Sequence, residues 1–106
     1  MNVINRSAIT VTGKKPFIDW NNALFPTMPI DESMPGNTYL INEITDDAGS
    51  VIKKYYKAIF EFQLEGICID EDEWPEKRNF KLFTEWFNYE ISDWVIDLSN
   101  KSMFDE

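Results

Sequence analysis

The sequence predicts an α+β fold: one domain over residues 1–106, built from a small, mainly antiparallel sheet of about three strands packed by aromatic-rich helices. Three observations predict it. A chain of 106 residues is the length of a single domain. Its apolar fraction of 43% and aromatic fraction of 15% supply a core that needs neither disulfide nor metal. The hydrophobic period also alternates along the chain between the strand and helix values, giving the order β-α-loop-β-α-(α)-α-β.

Residues 3–12 read as the first strand, because Ile9 and Val11 alternate with Ala8, Thr10 and Thr12 and β-branched residues dominate. Gly13 and two lysines end it. Pro16 then suits the first turn of a helix over 16–24, with Phe17, Trp20, Asn21 and Leu24 on one face. Pro26, Pro29, Pro35 and Gly36 mark a loop over 26–37, long for so small a domain. Residues 37–45 form a second strand, apolar on both faces: Tyr39 and Ile41 on one, Leu40 and Ile44 on the other.

Asp46 or Asp47 caps the long helix 48–65, whose apolar stripe is Ile52, Tyr55, Tyr56, Ile59, Phe60 and Phe62, with Lys53, Lys54 and Lys57 opposite. Gly66 stops it. Residues 67–73 fit either a brief extended run or a turn, with a short helix from Asp70 to Trp74 broken by Pro75. Asn79 caps a helix over 80–88 in which Phe80, Phe83 and Phe87 fall at i, i+3 and i+7. Over Glu90–Leu98 the period returns to two, with Trp94, Ile96 and Leu98 as the apolar face and Asp93, Val95 and Asp97 on the other, although Ile91 and Val95 also suit a continued helix. Residues 99–106 form a polar, frayed tail.

The charge is uneven. Residues 1–60 carry six acids and six bases, whereas residues 61–106 carry thirteen acids and four bases, so the C-terminal half holds the whole net charge of −9. A field of this sign disfavours nucleic acid and anionic membrane surfaces; it favours a basic protein partner, and the simpler reading of the same charge is that it keeps the chain soluble. The lone Cys68 precludes an internal disulfide and, between Ile67 and Ile69, reads as a buried, inert thiol. No apolar stretch follows Met1 as a signal peptide requires, and no run approaches the roughly 20 residues of a membrane span, so a cytoplasmic location is expected.

Histidine is absent, which removes the commonest general base and metal ligand, and the four glycines are too scattered for a phosphate loop. Enzymatic function is therefore not expected, and no cofactor. Carboxylates remain. Asp70-Glu71-Asp72-Glu73 begins like a calcium loop but lacks that motif's glycine and distant bidentate glutamate, so it reads as a solvated acidic turn that binds no metal. The candidate binding residues are Asp70, Asp72 and Glu73 with the adjacent Trp74 and Arg78; Trp74 is expected to be partly exposed, and Arg78 to pair with nearby acids.

Several segments carry a resemblance: Pro16-Phe17-Ile18-Asp19-Trp20, Tyr39-Leu40-Ile41, Phe62-Gln63-Leu64-Glu65-Gly66, Trp74-Pro75-x-x-Arg78-x-Phe80 and Phe83-x-x-Trp86-Phe87. Over most of residues 9–98 the chain resembles a family of small acidic bacterial proteins without an assigned activity. The resemblance implies a bacterial, intracellular single domain and transfers no catalytic residue. Members often carry a histidine near the position of Ser92, which this chain lacks.

The reading the sequence favours is thus a non-enzymatic interaction module whose acidic C-terminal half meets a basic partner. Two alternatives stand beside it: a carboxylate-based, metal-dependent hydrolase using Asp70, Asp72, Glu61 or Glu65, and a small-molecule binder with a pocket lined by Trp20, Tyr39 and Trp74.

Overall fold

A computed structural model describes residues 2–101. It is an α+β fold. The elements run β1 (Asn2–Val3), β2 (Arg6–Gly13), α1 (Lys15–Leu24), β3 (Asn37–Asn42), α2 (Ala48–Glu65), a 3-10 turn (Glu71–Glu73), α3 (Phe80–Trp86), β4 (Phe87–Ser92) and β5 (Ile96–Asp97). The main sheet has the antiparallel order β3-β2-β4, and β1 and β5 pair antiparallel as a separate ribbon.

β2 is central because it can serve two partners at once. Ser7, Ile9 and Val11 point to one face and are buried. Their cross-strand partners Ile41 and Tyr39 on β3, and Ile91 and Tyr89 on β4, share that face. The buried hydroxyl of Ser7 is satisfied: its Oγ accepts from the Ile44 amide at 3.1 Å and donates to Asp93 Oδ1 at 3.4 Å. The opposite face is mixed: Ala8 is buried and faces the exposed Leu40, and beside them Thr10 and Thr38 are linked by their hydroxyls at 2.9 Å.

The helices cover the apolar face. α1 has Pro16 in its first turn and buries Phe17, Ile18 and Asn21. Lys14 fixes the corner before it: its amide donates to Trp86 O and its Nζ to Thr84 O, both at 2.8 Å. α2 starts on Asp47, which accepts from the Ser50 amide and hydroxyl, both at 3.0 Å. It buries Val51, Ile52, Ile59, Phe60, Gln63 and Leu64. Phe62 departs from the expected stripe and is 61% exposed, its ring edge-on to Tyr39 at 5.7 Å, while Gln63 takes the buried position four residues beyond Ile59. α3 is capped by Asn79 Oδ1, which accepts from the Leu82 amide at 2.9 Å.

The aromatic core is centred on Phe60, Phe83 and Phe87, each at most 1% exposed, with ring centroids 5.4–5.9 Å apart. Phe80 is only half-buried, over Tyr56 and Phe83. One glycine is set by a close approach: a Cβ on Gly36 would lie 2.6 Å from Val11 O and 2.7 Å from Thr12 Cγ2, so the loop over 25–36 rejoins the sheet only where no side chain intervenes.

The C-terminal strand differs from the sequence expectation. α3 ends at Trp86 and β4 begins at once with Phe87, whereas the spacing predicts a helix to 88 and a strand over 90–98. Phe87, Tyr89 and Ile91 take the inward positions opposite Gly13, Val11 and Ile9. That phase sends Trp94, Ile96 and Leu98 outward, so the apolar alternate set faces solvent, with Trp94 75% and Leu98 77% exposed.

The first strand is also divided. Between the pairs Val3↔Ile96 and Ala8↔Ser92 lie residues 4–7 on one strand and 93–95 on the other. The extra residue is a bulge-like irregularity, and it turns Val3 outward to stand opposite Ile96. The radius of gyration is 15.4 Å, above the roughly 13 Å expected for a compact chain of this length. β3 stops at Asn42 rather than at 45. Of the expected frayed tail 99–106, residues 102–106 lie outside the described residues. Before them, Asp97 Oδ1 accepts from the Ser99 amide at 2.8 Å and Ser99 Oγ from the Lys101 amide at 3.0 Å.

Candidate functional site

The acidic turn is built on the link between α2 and α3. Asp70 opens it, its Oδ1 accepting from the Asp72 amide at 3.0 Å, and Glu71–Glu73 form one 3-10 turn in place of a helix to Trp74. Asp70, Glu71, Asp72 and Glu73 are all exposed. Two indoles hold this turn from beneath. Trp74 Nε1 donates to Cys68 O at 2.7 Å, and Trp20 Nε1, reaching across from α1, donates to Glu73 O at 2.8 Å. The Trp20 ring also lies 5.8 Å from Phe17 and 5.9 Å from Trp86. The aromatic core is thereby tied to the backbone of the acid run, and among the described residues the side chains of Glu71, Asp72 and Glu73 make no hydrogen bond.

Trp74 is half-buried, as expected, but both its polar handle and a ring face are used internally. The Arg78 guanidinium sits 5.5 Å from the Trp74 ring centroid, and its Nη1 donates to Pro75 O at 2.8 Å. The expectation that Arg78 pairs with nearby acids is corrected here. A planar cation gains as much from the indole face and a local carbonyl, without ordering a second flexible side chain. Cys68 is half-buried rather than buried, because the chain leaves α2 at Gly66 and only Ile67 turns back onto the core.

Among the described residues one ion pair forms, between Lys15 and Asp19 at 2.9 Å, and it is exposed. Asp70, Asp72, Glu73, Glu76, Glu85, Glu90, Asp93 and Asp97 therefore have no basic partner within 4 Å among the described residues. No described group of three or more carboxylate or thiol side chains is placed to hold a metal ion, and Glu61 and Glu65 point to solvent from α2. The hydrolase alternative has no assembled donor set among these residues. The aromatic pocket alternative is rearranged too. Trp20 and Trp74 converge on the acidic turn, whereas Tyr39 stands against Phe62 and donates to Gln63 Oε1.

A second surface was not foreseen. Val3, Trp94, Ile96 and Leu98 expose apolar side chains on and beside the β1–β5 ribbon, at 62%, 75%, 46% and 77%. Residues 82–100 contain Glu85, Glu90, Asp93 and Asp97 and no lysine or arginine, and Arg6 is the one base on β1 and β2. Alternation in the sequence marks these apolar residues as one face. Only the phase set by Phe87 shows that the face is the outer one.

No described helix is long and apolar enough to cross a membrane. Compared with known proteins, the chain matches no family model, no curated protein and no solved structure.

Proposed function

We propose that this chain is a non-enzymatic interaction module that meets a basic protein through its acidic C-terminal half. The observation that supports it most is the uncompensated charge: every described acid of residues 61–106 is exposed except the partly buried Asp97, and none lies within ion-pair distance of a base among the described residues. Isolated exposed charges contribute little to folding. Thirteen acids against four bases raise self-repulsion and give no fold stability in return, but they accelerate encounter with a positive surface.

The anchor of the contact is the apolar outer face of the β1–β5 ribbon rather than Trp74, whose ring already serves the turn. Exposed apolar side chains on a strand whose only charged residues, Glu90, Asp93 and Asp97, are acidic fit a partner segment that is both apolar and basic. A second copy of this chain would set those carboxylates against their own kind, so the partner is a different protein. On this reading the chain works inside the cell and belongs with the small acidic bacterial proteins its Trp-Pro…Trp-Phe segment resembles.

Association kinetics with a partner captured from the source cell test this. Charge reversal of Asp70, Asp72 and Glu73 to Lys slows association, raised salt does the same, and Trp94→Ala speeds dissociation while Trp74→Ala acts through stability. A partner indifferent to salt and to the triple reversal overturns the electrostatic reading. Self-association that depends on Trp94 replaces the partner with a second copy.

A further inference from the structure

We propose that the cavity beneath the 25–36 loop binds a small, uncharged, mainly apolar molecule carrying one hydrogen-bond acceptor, a carbonyl in the simplest case, and that Gln63 receives that acceptor. The cavity has a volume of about 120 Å³. Val11, Phe17, Ile18 and Ile67 form its walls, and Ile30 and Met34 its roof. An engineered apolar cavity of about 150 Å³ holds benzene, so this space suits a single small ring.

Gln63 supplies the polar element. It is 8% exposed, on the buried stripe of α2, and it lines the cavity. Its orientation is set by two donors that converge on Oε1: Asn37 Nδ2 at 2.6 Å and the Tyr39 hydroxyl. Burial pushes the Tyr39 hydroxyl above its ordinary range, so it stays protonated and donating. Nε2 is left with two hydrogens and no acceptor among the described residues. Every fully enclosed side-chain nitrogen or oxygen in the described structure has a partner, so Nε2 is not sealed off and reaches open space. A purely apolar occupant strips that amide of water and gives nothing back, whereas a carbonyl satisfies it.

The roof is built before any ligand arrives. Asn22 of α1 clamps Ile30 from both sides: its Oδ1 accepts from the Ile30 amide at 2.9 Å and its Nδ2 donates to Ile30 O at 3.1 Å. Asp31, also on the cavity, is held as a carboxylate by the Ser33 hydroxyl and amide, which lower its pKa. It repels anions, and the apolar walls penalise any charge. This site is separate from the acidic surfaces and does not depend on a protein partner.

The test is an NMR titration of the full chain with cyclohexanone and with methylenecyclohexane, which has nearly the same shape and no acceptor. The expected result is saturable shifts of the Gln63 side-chain amide and the Met34 methyl with the ketone, with the hydrocarbon about tenfold weaker or more. Met34→Trp, at a roof position 47% exposed, fills the cavity and abolishes the Gln63 response without lowering the melting temperature. Gln63→Met brings the ketone down to the affinity of the hydrocarbon. Because that change also strips Asn37 and Tyr39 of their acceptor, a variant that fails to fold leaves the ketone–hydrocarbon ratio and Met34→Trp to decide. No saturable shift, equal affinity for the two probes, or a Gln63 response that survives Met34→Trp overturns the proposal.

Discussion

Replacing Phe83 with Ala removes the ring on which α2, α3 and β4 converge. Phe83 is 0% exposed, and its centroid lies 5.9 Å from Phe60, 5.4 Å from Phe87, 5.9 Å from Tyr56 and 6.3 Å from Tyr89. Its neighbours belong to two elements, α2 with its Asp47 cap and β4 in the ladder with β2, so the site cannot collapse around the void. A buried Phe→Ala change costs about 3–5 kcal/mol, and this position belongs toward the upper part of that range because several aromatic pairs go with the ring. Domains of this size are stable by only about 5–15 kcal/mol. Urea unfolding followed by tryptophan fluorescence and far-UV circular dichroism should show a midpoint lowered by at least about 1 M with unchanged slope, and a melting temperature lowered by at least about 12 °C. Phe62→Ala, at a ring 61% exposed, is the control and costs less than about 1 kcal/mol. A Phe83 loss below about 1 kcal/mol, or no larger than that of Phe62, refutes the assignment of Phe83 to the centre of the core.

Further outcomes follow from the same geometry. Asp47→Ala lowers the urea midpoint at neutral pH, because the Ser50 amide and hydroxyl that bond this carboxylate hold its pKa below the ordinary value. A depressed pKa stabilises the fold above the unfolded carboxylate value of about 3.9 and loses that contribution as pH falls through the folded pKa, so the deficit of the variant shrinks below pH 4; a deficit constant with pH contradicts the cap. Gly36→Ala forces the loop off β2 and lowers the melting temperature more than Gly49→Ala, where a Cβ meets only Asp47 Oδ1 at 3.2 Å; equal melting temperatures remove the close approach as the reason for the glycine. Millimolar Ca²⁺, Mg²⁺ or Mn²⁺ leaves the melting temperature unchanged, and a rise abolished by Asp70→Asn or Asp72→Asn shows that the turn holds a cation after all.

What the sequence conveyed was short-range. Asp47 and Asn79 are caps because each carboxyl or amide reaches an amide three residues on, and α2 ends where its apolar stripe ends. The exposed acid run was legible for the same reason: four consecutive acids cannot be buried. The misses are matters of phase and long-range contact. Phe87 continues the helical spacing of Phe80 and Phe83 and also begins the inward set of β4, so one residue satisfies both periods and hides the boundary. Trp94, Ile96 and Leu98 alternate as a buried face would. Their direction is decided by pairing with β2, and Val3 joins them only through one extra residue in its own strand, between β1 and β2. Arg78 has acids close in sequence but an indole closer in space. Gln63 is polar and stands outside the expected stripe, although its spacing of four from Ile59 places it inside.

The central position of β2 governs how the chain must be born. Ala8 pairs with Ser92 and Gly13 with Phe87, so β2 waits for a strand synthesised more than seventy residues after it. α2 depends on local contacts and can form during synthesis. β2 can gain β3 on one side, but its other edge stays open, with Ile9 and Val11 unshielded by the aromatic cluster, until Phe87 and Ile91 have left the ribosome. Closing so long a loop before its contacts reward it places folding among slow, non-local topologies. A nascent chain arrested before β4 therefore presents an unpaired apolar edge, and that interval is when this protein most depends on a chaperone or on dilution to escape aggregation.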